Sequence, residues 1–153
     1  MAELCVRSVL VTGANRGIGL GLIQHFLRMP TPPQWVFAGC RDPKGQRAQN
    51  LASKHPSLVI IPLEVTNPAS IKEAAARVRE HLRGSGLNVL INNAGIEKLK
   101  SLDNETLKNM TQIYTTNTTG PLLLGQGSPQ HCRISPGSIP SHVLALPKLA
   151  ITE

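Results

Sequence analysis

The stretch Thr12-Gly13-Ala14-Asn15-Arg16-Gly17-Ile18-Gly19 decides the fold. An apolar run, Val6 to Val11, precedes it, and an amphipathic one, Leu20 to Leu27, follows. The order is strand, glycine-rich turn, helix, which points backbone amides and a helix N-terminus at a diphosphate. Gly13 permits a tight turn with positive φ, Gly17 lets the backbone approach the phosphates, and Gly19 lets the helix pack closely on the strand. Amides from Asn15 to Ile18 are the expected donors. The competing reading is a strand-to-helix turn whose glycines are only structural, and the pattern downstream decides between the two.

Downstream the alternation continues. The helix from Gly17 repeats Ile18, Leu22, Ile23, Phe26 and Leu27 on one face and ends at Pro30, Pro32 and Pro33. Trp35 to Cys40 is a short strand-forming run. A turn at Asp42-Pro43-Lys44-Gly45 leads to a helix from Gln46 to Lys54, and Leu58 to Ile61 is a third strand. Asn67-Pro68 opens a helix, capped by Thr66 or Asn67, whose apolar face is Ile71, Ala74, Ala75, Val78 and Leu82. Gly84 and Gly86 release the chain into a fourth strand, Asn88 to Ile91. This pattern predicts an α/β fold, a Rossmann-like doubly wound parallel sheet of order 3-2-1-4, with its ligand site at the carboxyl ends where the order reverses.

The pattern thins beyond Asn92-Asn93-Ala94-Gly95. A polar loop reaches Leu102, and Asp103 or Asn104 is the expected cap of a helix through Leu107, Met110, Ile113 and Tyr114, with Asn117 in its continuation. Gly120-Pro121 interrupts the helix propensity, but Leu122 to Leu124 remains apolar. From Gln126 onward prolines recur with serine and glycine. Val143 to Leu146 reads as one short strand outside the sheet, because prolines flank it. The expected division is a nucleotide-binding domain over 1–125 and an atypical Pro/Ser-rich tail over 126–153. Strand 4 is then an open edge that invites pairing. The helix around Asn117 exposes an apolar patch suited to a homo- or hetero-oligomer.

With 153 residues the chain is one domain, and its formal charge is +7. Aromatics make up 3% of it and no basic run interleaves with them, which argues against nucleic acid and for a basic rim around an anionic nucleotide. Cys5, Cys40 and Cys132 have neither metal-ligand nor redox spacing, so no metal is expected. Cys40, ending an apolar strand, reads as a buried thiol. No run has signal-peptide or membrane-spanning character, which gives no membrane partner and a cytoplasmic location as the expectation.

The glycine spacing is T-G-x-x-x-G-x-G rather than G-x-G-x-x-G. Together with Asn92-Asn93-Ala94-Gly95 after the fourth strand it resembles the short-chain dehydrogenase/reductase family, over roughly Val6 to Gln126. The wording of the segment, including Asn117-Thr118-Thr119-Gly120-Pro121, is most similar to the small cytosolic carbonyl reductases of the sniffer or C-factor-like branch. The second strand ends Cys40-Arg41, and an arginine there can pair with a 2′-phosphate through its planar fork. The resemblance places Arg16 and Arg41 where NADP-preferring relatives carry basic residues, which favours NADP over NAD. Asp42 has two readings, a ribose-binding acid or the start of the turn before Pro43. Where the family has an Asp-Val pair beside the adenine, this chain has Glu64-Val65; a surface acid flanking a helix is the other reading of Glu64. Asn92 and Asn93 are expected to tie the fourth strand to its loop, with Ala94 and Gly95 passing close to the cofactor.

The resemblance also implies a catalytic set: a tyrosine proton donor, a lysine in Tyr-x-x-x-Lys, a serine and a helix asparagine. Asn117 matches the asparagine, which alternatively only bends its helix and supports the neighbouring strand. The single tyrosine, Tyr114, precedes it, and threonine stands four residues further on at Thr118. Ser128, Ser135, Ser138, Ser141 and Lys148 lie in the tail without the expected strand, and His131-Cys132 lacks a third group. The expectation is therefore an NADP(H)-binding reductase-like protein. The family activity is hydride reduction of small carbonyl compounds, impaired in a chain that reads as truncated after about residue 126. A non-catalytic nucleotide-binding or protein-interaction module, and a partly folded fragment, are the alternatives.

Overall fold

The computed structural model describes residues 6–98, 101–127 and 142–145. Strand β1 (Ser8–Thr12) leads into helix α1 (Gly17–Arg28), followed by β2 (Trp35–Cys40), α2 (Gln46–Ala52), β3 (Leu58–Pro62), α3 (Pro68–Leu82) and β4 (Val89–Asn92). A single 3-10 turn, Leu102–Asn104, precedes α4 (Leu107–Tyr114), which continues through a π turn (Thr115–Thr119) into α5 (Gly120–Gly127). A last strand, β5, spans His142–Ala145. All pairings are parallel and the order is β3-β2-β1-β4-β5.

β1 is the axis of the sheet. Its central residues pair Val9 with Val36 on one side and with Val89 on the other. Strand side chains alternate between faces, and both faces are covered. Val9, Val11, Val36, Ala38 and Ile91 pack against Ile23 and Leu27 of α1. Leu10, Phe37, Ile61 and Leu90 pack against Val78 of α3 and Leu124 of α5. Burial on two faces explains why these strands read as continuous apolar runs. The start of β1 is tied to β4 by Asn88, whose Oδ1 accepts from the amides of Arg7 and Ser8, each at 3.0 Å. The Asn88 amide donates in return to the Ser8 hydroxyl at 3.0 Å.

Local signals set the helix ends. The Asn67 side chain accepts from the amides of Ala69 and Ser70 at the head of α3, a cap worth about 1 kcal/mol, and Pro68 fills the first turn, where its missing N–H costs nothing. Arg83 ends the helix in the left-handed region at φ 47, followed by Gly84 at φ 92.

Three expectations need correction. Thr106, not Asp103 or Asn104, caps α4, its hydroxyl accepting from the Asn109 amide at 3.2 Å; Asp103 and Asn104 are used in the 3-10 turn. Despite the low propensity of Gly120-Pro121, the helix runs on through them as α5. The wide turn just before it relieves the clash that a proline makes with the preceding turn, and Pro121 falls in the first turn of α5, where its missing donor is tolerated. The four-residue run His142–Ala145 joins the sheet, pairing Val143 with Leu90 and Ala145 with Asn92. Consequently β4 is not an edge. Prolines flank that run rather than enter it, and the open backbone groups of β4 supply the driving force that sequence periodicity does not show. Leu146, named at the end of that run, lies outside the described residues.

Candidate nucleotide-binding site

The carboxyl ends of the strands open into a cleft of about 1250 Å³. The glycine turn forms its floor. Gly13 has φ +64, and a Cβ there would sit 2.9 Å from the Ala94 Cα, so the turn and the β4 loop pass too closely for any side chain. Gly17 has φ +54 with nothing within 4 Å, leaving its face open. A Cβ on Gly19 would fall on the Gly13 carbonyl and the Asn93 side chain. Gly19 does not line the cleft; its role is close packing.

Asn93 locks the two motifs together. Its side-chain amide donates to the carbonyls of Thr12 at 3.0 Å and Gly13 at 3.2 Å. The Thr12 hydroxyl in turn accepts from the amides of Asn93 and Ala94 at 3.0 and 2.9 Å. Asn92 does not share this tie. Its Oδ1 is buried and has no hydrogen-bond partner among the described residues.

The N-terminus of α1 opens on the cleft without a cap. Arg16 precedes the helix with extended backbone and no capping hydrogen bond from its side chain, and the first turn carries no acid. The unpaired amides and positive end of a helix draw an anion there. Asn15, Arg16, Gly17 and Ile18 all line this part of the cleft. Arg41 lines it from the end of β2. Neither Arg16 nor Arg41 forms an ion pair among the described residues, and both are exposed. Asp42 turns away from the cleft, accepting from the Lys44 amide at 3.0 Å, which is the turn reading of that residue. Cys40 is buried beside it. Burial, and then the charge of Asp42, push its thiol above the ordinary value.

Glu64 and Val65 line the cleft after β3, as do Asn93, Ala94 and Gly95 after β4. One Glu64 oxygen is engaged by the hydroxyl and amide of Thr66 at 3.1 and 3.3 Å. Asn117, in the π turn, does not line the cleft. Its Oδ1 accepts from the Ile96 amide and its Nδ2 donates to the Ile96 carbonyl, both at 2.9 Å, so it braces the strap leaving β4. Tyr114 projects from α4 with 64% of its surface exposed and is not part of the cleft wall. Cys5, Ser128, His131, Cys132, Ser135, Ser138, Ser141 and Lys148 lie outside the described residues. Sequence reasoning missed Lys98, Asn109 and Gln112, which tie the β4 strap to α4. The one available signal was an amide at each of two positions on one face of the helix.

A glycine turn at an uncapped helix end, over the crossover point of a parallel sheet, defines a nucleotide-binding doubly wound α/β domain. Residues 7–139 match the model of the short chain dehydrogenase family, and the chain belongs to that family. Carbonyl reductase from chicken fatty liver, solved with NADPH bound, shares 68% identity over 84% of this chain and 52% of its own, with a TM-score of 0.81. The carbonyl reductase Sniffer of D. melanogaster shares 32% identity over 83% of this chain and 52% of its own, with a TM-score of 0.79. Estradiol 17-beta-dehydrogenase 2 of Mus musculus is 40% identical over 92 residues, 59% of this chain and 23% of that protein. The chain thus spans about half the length of the two reductases and a smaller part of the steroid dehydrogenase. No helix among the described residues is long and apolar enough to cross a membrane.

Proposed function

We propose that this chain binds NADP(H) in the cleft and carries the nucleotide half of a carbonyl reductase of the sniffer-like branch. The observation that carries the reading is that the guanidiniums of Arg16 and Arg41, beside an uncapped helix end, form no ion pair among the described residues. Two cations without an anionic partner among the described residues suit a dinucleotide with an extra phosphate on its ribose. The likeness to an NADPH-bound carbonyl reductase supports the same reading. In it, the amides from Asn15 to Ile18, with Gly17 open beside them, hold the diphosphate. Arg41 pairs with the 2′-phosphate, and the free oxygen of Glu64 reaches the adenine amine beside Val65. Asn93, Ala94 and Gly95 form the wall that the close approach of Gly13 fixes in place. Asn117 steadies that wall through Ile96. Bound NADPH supplies a hydride for a small carbonyl compound. Delivery of the matching proton needs a positioned acid, and no Tyr-x-x-x-Lys stands in the sequence. Carbonyl reduction by this chain is therefore weak, and a cytoplasmic, reducing setting suits its buried thiol at Cys40. Calorimetric titration with NADPH and NADH, alongside a carbonyl-reduction assay, tests the reading: tighter binding of NADPH supports it, and no binding of either rejects it.

A second reading rests on a different observation. Leu107, Met110, Tyr114 and Leu122 are 85, 55, 64 and 58% exposed along one continuous helical run. Large apolar side chains grouped this way mark an association surface, and a module that pairs through it with another copy or a longer relative needs no catalysis of its own.

A further inference from the structure

Polar ties from the strap after β4 reach α4. Asn109 is its one buried side chain; Ile113 is half-buried, Leu107 borders the cleft, and Met110 is mostly exposed. α4 is the first segment of a run that continues through the π turn into α5, where Leu124 joins the core, so its free end is the part that contacts from the strap hold in place. Asn117 holds Ile96 at one end of that strap. At the other, the Lys98 ammonium donates to Asn109 Oδ1 at 3.2 Å and to Gln112 Oε1 at 2.5 Å. Asn109 and Gln112 are three residues apart and share a face of the helix. No carboxylate among the described residues pairs with Lys98; both of its acceptors are neutral amides.

The clamp bears on the cleft. Gln112 lines it, as do Ile96 on the strap and Thr111 and Thr115 on the helical run. Just beyond, Gly120 packs so closely on Val65 that a Cβ would lie 3.2 Å from its Cγ2. The run therefore crosses the carboxyl end of β3, on the side where Glu64 stands.

We propose that Lys98 is a positioning residue: its ammonium clamps the strap to α4 and so fixes the cleft wall over the adenosine half of a bound dinucleotide. The proposal rests on the nucleotide reading of the cleft. A lysine suits the task because a flexible stem with three donors reaches two carbonyl oxygens at once. Lys98→Met keeps the stem but donates nothing, and leaves the buried Asn109 oxygen unsatisfied.

The test uses the full chain as wild type, K98M and K98R, with two measurements. Hydrogen exchange is followed without nucleotide, and 2′,5′-ADP is titrated as the adenosine-half probe. In K98M, exchange across α4 rises and 2′,5′-ADP binds about tenfold more weakly, while exchange in α1 stays at the wild-type level. K98R, which keeps the charge and donors, recovers most of both. Unchanged α4 exchange in K98M overturns the clamp. Exchange that rises in α1 as much as in α4 means a general loss of stability and overturns it too, as does K98R behaving like K98M. Wild-type protein that ignores 2′,5′-ADP refutes the nucleotide reading instead, and with it the cleft half of the proposal, while the exchange result still decides the clamp.

Discussion

The Thr12 hydroxyl accepts two backbone amides, those of Asn93 and Ala94, while Asn93 returns a side-chain bond to the Thr12 carbonyl. A single side chain at the end of β1 thereby orients the loop at the end of β4. Thr12→Val preserves shape but strands two amides in a largely buried place. The expected loss is about 3 kcal/mol of folding stability, read as a lower urea midpoint with unchanged slope. Thr12→Ser, which keeps the oxygen, should lose much less.

Arg41→Ala should separate the two nicotinamide cofactors. Only NADPH carries the phosphate that its fork would grip, so NADPH affinity should fall about ten- to a hundredfold and NADH affinity should hardly move. Equal losses in parallel titrations would mean that Arg41 does not read the 2′-phosphate.

Purified chain should bind NADPH yet turn over little carbonyl substrate. General acid catalysis contributes about 10²- to 10⁴-fold and depends on a placed group. Tyr114 is outside the cleft wall and has no lysine four residues beyond it. Turnover equal to that of a full-length reductase, followed by NADPH absorbance, would refute this.

Alkaline stability should report on Cys40. Its folded thiol is raised above the ordinary value, first by burial and then by Asp42. A raised folded value means the native state holds the proton more tightly than the unfolded chain. The stabilising contribution is therefore full below the ordinary thiol value and is lost as pH rises through the raised one. Melting temperatures measured across the alkaline range should fall in that window for wild type and flatten for Cys40→Ala, whatever the absolute height of the two curves.

The exposed ridge of α4 and α5 should drive association. Met110→Glu combined with Tyr114→Glu places charge where apolar groups, each more than half exposed, now face water. Sedimentation should show wild type heavier than the double variant at the same concentration; identical masses would leave the ridge without a partner.

Much of this architecture is legible in the residues because its signals are local. Glycine at 13 and 17 announces backbone that other residues rarely adopt, and both sit at positive φ. Asn67-Pro68 marks a helix start that needs no distant partner. The parts that escaped are those decided by partners far along the chain. β5 is placed by the open ladder of β4, a force absent from its own four residues. Asn88 reads as an ordinary turn-to-strand residue until Ser8 stands beside it. Thr106 displaces the two more obvious caps because those are consumed one turn earlier. Lys98 looks like a solvated loop charge, and only the fold shows that it has two amides to grip.

The placement of β1 at the axis of the sheet has a consequence for how the chain is made. Its two neighbours come from different places: β2 follows almost at once, but β4 is translated only after two more helices and another strand. A ribosome releasing the protein from the N-terminus must emit everything through Asn88 and Val89 before Val9 and Val11 gain their second partner. Until then a strand that is buried along its whole length in the finished fold has one edge bare, and the polar ties that close it, Ser8 with Asn88 and Thr12 with Asn93, cannot form. Pairing of such sequence-distant strands is slow and leaves apolar surface uncovered while it waits. The nascent chain is thus most dependent on chaperones in the interval between the emergence of β2 and that of β4, and its nucleotide cleft is among the last features to come into being.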